Sequence, residues 1–135
     1  MGIALTKNSI DLGINTNNGP AMLAFYRDLL GLKYMGEMAM PGGGVMHRMM
    51  CGDSMIKLRV MPDTPPLHPA APGGIQSAAG LRYWTMTISN LTEMVKACAD
   101  AGTPVVVPER EFRPGVRIAI VTDPDGNWVE FLALG

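Results

Sequence analysis

Residues 123–135 read DPDGNWVEFLALG, a turn followed by a run in which one carboxylate, Glu130, stands among Trp128, Val129, Phe131 and Leu132. Asp-Pro-Asp-Gly supplies turn chemistry, and the residues after it have the β-branched and aromatic character of a strand. A strand turns successive side chains to opposite faces, so Glu130 shares a face with Trp128 while Val129 and Phe131 point the other way. The charge therefore marks one face of the strand and leaves the other apolar.

Upstream, LRYWTMTIS (81–89) alternates like a half-buried strand. SNLTEMVKACADAG (89–102) has the pattern of a capped amphipathic helix closed by Gly102, and TPVVVPE (103–109) and VRIAIVTD (116–123) read as two more strands. The first half has the same order. SIDLGINT (9–16) alternates Ile10, Leu12 and Ile14 with polar residues or glycine; NNGP then opens a helix through AMLAFYRDLL (21–30), closed by Gly31. KYMGEMAM, VMHRMMCG and SMIKLRV follow as strands broken by PGGG and Gly52-Asp53. Placed together, Ile14 falls opposite Ile88, Gly31 opposite Gly102 and Lys57 opposite Glu130, at a nearly constant spacing. The expected architecture is α+β, with two βαβββ modules at about 7–62 and 80–135 in a single domain of residues 1–135. A loop rich in proline, glycine and alanine, 63–79, joins them as a connector or cover.

Two such modules, with FYRDLLGLK ending the first helix and DPDGNWVEF opening the last strand, resemble the vicinal oxygen chelate superfamily over nearly the whole chain. That superfamily includes glyoxalases, ring-cleaving dioxygenases, epimerases, thiol transferases and antibiotic-binding proteins. The resemblance implies two half-cups of mostly antiparallel sheet, helices outside, with a small-molecule ligand within. It also implies a homodimer. Members that use a divalent ion take ligands from the first and last strands of each module. Here those positions fall on Ser9, Lys57, Tyr83 and Glu130, and only Glu130 matches.

A lysine ammonium carries donors and no acceptor, so Lys57 opposes a metal at that place. No cofactor is therefore expected, and no metal ligands are assigned. If module symmetry holds, Lys57 and Glu130 approach each other and the ammonium stands where the cation would be. Glu130 is then the candidate acid/base, with Lys57, Tyr83 and Arg59 as donors to an oxygen on which charge accumulates. His47 is a further catalytic candidate, since an imidazole suits general acid–base work and its strand could turn it inward. Strand parity puts Met55, Lys57 and Arg59 on one ligand-facing side, and Tyr83, Thr85 and Thr87 on another. Asp11, Met55, Arg59, Thr85, Arg117 and Trp128 are the substrate-binding candidates, with Arg59 and Arg117 suited to clamping a carboxylate or enolate.

Composition narrows the function classes. With 17% charged residues and a formal net charge of -1, the chain has no basic field for nucleic acid. No apolar run is long enough for a membrane span, and MGIALTKNSIDLG lacks a signal-peptide pattern, so a cytoplasmic location is expected. Cys51 and Cys98 form no CxxC pair and read as reduced packing residues. Twelve methionines suit a core or pocket that adapts to an apolar ligand. Three activities follow: metal-independent isomerase, epimerase or lyase chemistry on a small oxygenated compound; ligand sequestration without chemistry; or a divalent-metal lyase or dioxygenase in which Asp11 or His47 replaces the missing ligands.

Overall fold

The computed structural model describes residues 1–71 and 74–135; within the connector 63–79, residues 72 and 73 lie outside the described residues. Two compact units form, Met1–His68 and Pro69–Gly135. In the first, β1 (Leu12–Thr16) leads into α1 (Gly19–Leu23), which continues as a π-helical turn over Ala24–Leu29, followed by β2 (Lys33–Ala39), β3 (Val45–Cys51) and β4 (Ser54–Val60). The sheet order is β1-β4-β3-β2, with β1 parallel to β4 and the other pairs antiparallel. In the second unit, β5 (Tyr83–Thr87), α2 (Leu91–Asp100), β6 (Val105–Arg113), β7 (Val116–Thr122) and β8 (Trp128–Leu134) repeat this connectivity in the order β5-β8-β7-β6. The chain is α+β with two βαβββ modules.

Local chemistry explains the boundaries. Pro20 sits in the first turn of α1, where its missing N–H costs no intrahelical bond. The wider turn that follows is marked by Leu30 N–H donating to Phe25 O at 2.9 Å, five residues back. Gly31 (φ 73°) and Gly102 (φ 79°) then take left-handed backbone at the helix ends. At α2, Asn90 is the N-cap but its side chain makes no capping hydrogen bond, so the expected side-chain cap is absent.

The first strand starts at Leu12, three residues later than the alternation from Ser9 predicts. The reason lies in side chains that replace ladder bonds: Asp11 Oδ1 accepts from Met55 N–H at 2.8 Å, and Ser9 Oγ donates to Asp53 O at 2.9 Å.

Each sheet buries the face its helix covers. Met49, Ile56 and Leu58 are buried with Met22, Phe25 and Tyr26 in the first unit. Met86, Ala119, Val121, Val129, Phe131 and Ala133 are buried with Leu91 and Cys98 in the second. No helix among the described residues is long and apolar enough to cross a membrane.

Candidate functional site

Thr85, Glu130, Tyr83 and Trp128 in the second unit, and Met55, Lys57 and Arg59 in the first, lie on the sheet face away from the helix. On β8, Val129 and Phe131 are buried on the helix side, so Glu130 projects from the opposite face, where it is only partly buried. Its ladder partners are Thr85 on β5 and Ile120 on β7. Thr85 Oγ1 donates to Glu130 Oε1 at 2.7 Å, which fixes the carboxylate's orientation. Oε2 accepts no hydrogen bond among the described residues of its unit. One step along the same face stand Tyr83 and its partner Trp128, with Tyr83 44% exposed. The buried side chain of Ile120 gives this face an apolar floor.

In the first unit, Lys57 lies between Gly13 on β1 and Arg48 on β3. Met55 and Arg59 flank it on β4, and by ladder pairing Met50 and Met46 share their face. Arg59 is exposed and Lys57 half-buried. Neither Lys57 nor Glu130 forms an ion pair within its own unit among the described residues.

Asp11 lies just before β1 and by parity on the Lys57 face. It is already engaged, accepting from Lys7 Nζ at 2.7 Å as well as from Met55 N–H. The Lys7 hydrogen bond, then the Met55 amide, hold its carboxyl below the ordinary value of 3.8, with the charge of Lys57 a smaller contribution.

The observed pairing revises the correspondence between modules. Gly13 pairs with Lys57 as Thr85 pairs with Glu130, so the first-strand residue matching Tyr83 is Asp11, not Ser9. Two further expectations of orientation are corrected. His47 pairs with Leu58 on the helix side, and its Nδ1 is 2.8 Å from Tyr34 Oη; it is turned away from Lys57. Arg117 also points to the helix side, donating to Glu109 Oε2 at 2.7 Å and to Thr92 Oγ1 of α2 at 3.4 Å. Its guanidinium is committed there, away from the ligand-facing side of its own sheet. Conversely Arg48, which sequence reasoning passed over, stands beside Lys57.

A divalent ion needs several oxygen or nitrogen acceptors around one point. The row through Glu130 provides one carboxylate and one hydroxyl, and the row through Lys57 provides two cations. Asp11 is held by Lys7 and an amide, and His47 faces the helix side. Among the described residues no three His, Cys, Asp or Glu side chains come together. This donor set does not fit a divalent ion.

The model of the Glyoxalase/Bleomycin resistance protein/Dioxygenase superfamily matches residues 9–131. The chain belongs to this superfamily. A glyoxalase family protein from Bacillus cereus shares 20% identity at a TM-score of 0.80, covering 98% of this chain and 100% of its own. A lactoylglutathione lyase from Agrobacterium tumefaciens shares 22% identity at a TM-score of 0.64, with 93% and 92% covered. An antibiotic binding protein from Streptomyces sp. CB03234 shares 16% identity at a TM-score of 0.70, with 100% and 99% covered. At such identities the likeness shows the glyoxalase fold alone. Comparison with curated proteins returns no match.

Proposed function

We propose that this glyoxalase-superfamily protein is a small-molecule enzyme that moves a proton at a carbon beside a carbonyl without a metal, in an isomerase, epimerase or lyase reaction. The observation carrying this reading is the Thr85–Glu130 hydrogen bond, which orients one carboxylate oxygen and leaves the other without a hydrogen bond among the described residues of its unit, on a face lined by Tyr83 and Trp128. Glu130 Oε2 takes the proton, and the C–H electron pair moves toward the carbonyl oxygen. The Tyr83 hydroxyl donates a hydrogen bond to that oxygen as its charge develops. Returning the proton to the same carbon gives epimerisation; in an α-hydroxy carbonyl, returning it to the carbonyl carbon while the hydroxyl proton passes to the former carbonyl oxygen gives isomerisation. Expelling a β-substituent gives a lyase product.

The test is deuterium wash-in followed by proton NMR, using α-hydroxy ketones and 2-oxo acids in D2O containing EDTA. Wild type is expected to exchange one C–H position of at least one compound, and Glu130→Gln to slow this by about a hundredfold or more, the usual range for a positioned base. Equal rates in both proteins, or no exchange in any compound, would refute the proton-transfer role.

A second reading is favoured by Met46, Met50 and Met55 on one face of the first unit's sheet. Flexible thioethers suit an adaptable apolar ligand held without chemistry. Tight binding of a compound recovered unchanged, equally by wild type and Glu130→Gln, distinguishes this reading from catalysis.

A further inference from the structure

We infer that the ladder row Gly13, Lys57, Arg48 and Gly36, across the first unit's sheet, is an oxyanion-binding site that takes a carboxylate or phosphate group of a small molecule. This goes beyond the reading above, which rests on the second unit: it assigns the first unit's sheet an anionic small molecule by its own residues.

The row has cations at its centre and glycines at both ends. Lys57 pairs with Gly13 on one side and Arg48 on the other, and Arg48 pairs with Gly36. A side-chain carbon added at Gly13 would meet nothing within 4 Å, so the space beside Lys57 is open. At Gly36 such a carbon would lie 3.6 Å from Arg48 Nη2, so the guanidinium leans over that glycine. Gly36 also sits where the β2–β3 register shifts, with φ 111°.

The donors are incompletely used. Arg48 Nη2 makes one long bond, 3.4 Å, to Met35 O, and Arg48 Nε is shielded from solvent with no hydrogen-bond partner among the described residues. Lys57 makes no hydrogen bond or ion pair among the described residues of its unit. Asp11, the carboxylate on this face, is spent on Lys7 and the Met55 amide. Like charges directly opposite on neighbouring strands repel, and a buried donor without an acceptor is unfavourable. One oxyanion between the two side chains relieves both, with the guanidinium offering paired N–H groups and the ammonium a point charge. Met46, Met50 and Met55 border the row and keep it less polar than open solvent.

The experiment is a backbone-amide NMR titration with sodium phosphate and, separately, sodium acetate, at ionic strength held constant with sodium chloride. Saturating shifts are expected at Gly13, Gly36, Arg48 and Lys57, and the tighter of the two anions identifies the group the site prefers. Lys57→Gln and Arg48→Gln should each weaken binding about tenfold, whereas Lys57→Arg should retain it. Amide spectra of each variant establish that it is folded. Shifts that stay linear, spread over surface basic residues, or persist unchanged in both glutamine variants would overturn the inference. Glu130→Gln leaves this row intact: anion binding that survives in it while deuterium wash-in fails in wild type refutes the base role and leaves the oxyanion site standing.

Discussion

At the scale of single residues, the DPDG turn before β8 rests on a side chain that composition gives little reason to single out. Asp123 is 2% exposed, and it accepts from Asp125 N–H at 3.0 Å, Asn127 N–H at 2.9 Å and Asn127 Nδ2 at 2.8 Å. Removing a buried acceptor strands its donors, so Asp123→Ala is expected to lower stability by about 2–4 kcal/mol in urea unfolding. The thiols give a pH prediction. Burial pushes Cys51 and Cys98 above the ordinary value of 9.0, so the folded state holds these protons longer than the unfolded chain does. Stability from this source is intact below about pH 9 and is lost as pH rises past it, measurable as a falling unfolding midpoint that Cys51→Ala plus Cys98→Ala flattens. Native-state alkylation at pH 8 should correspondingly be slower than in urea.

At the scale of elements, alternation on β8 separates structure from chemistry in adjacent residues. Phe131 is 2% exposed and faces α2's side of the sheet, so Phe131→Ala is expected to cost about 3–5 kcal/mol. Glu130→Gln, one residue away on the other face, should change stability by less than about 0.5 kcal/mol. Similar losses for both would mean that the face assignment is wrong. At β1, Asp11→Asn should speed hydrogen exchange of the Met55 amide, because the carboxylate accepts that N–H from outside the ladder.

The strands, both helices and the Gly31 and Gly102 stops were legible because each has a strong local signature of period, turn residues or left-handed glycine. The onset of β1 was not, since Ser9 and Asp11 use side chains where a strand would use backbone. The orientation of His47 was also hidden in VMHRMM, where methionines fill both faces and the alternation has no contrast. Its register was nevertheless within reach. The turn at Gly52-Asp53 pairs Cys51 with Ser54, and counting back from there sets Arg48, not His47, beside Lys57.

At the scale of the whole molecule, the repeated βαβββ order carries the superfamily identity, but it does not carry the reaction. The same connectivity supports metal ligands or none according to a few positions on the helix-free faces. Here those positions hold Asp11 and Lys57 in one unit and Tyr83 and Glu130 in the other. Glu130 was legible because a conspicuous turn and an apolar strand frame it. Arg48 and the engagement of Asp11 depend on cross-strand neighbours that local periodicity does not reveal.

The central claim is that this glyoxalase-superfamily chain uses Glu130 as a carboxylate base and not as a metal ligand. The most direct measurement is the divalent-metal content of untagged protein, determined by plasma mass spectrometry after dialysis against metal-free buffer. The account predicts far less than one ion per chain, unchanged in Glu130→Gln. One tightly held ion per chain, lost in Glu130→Gln, would contradict it.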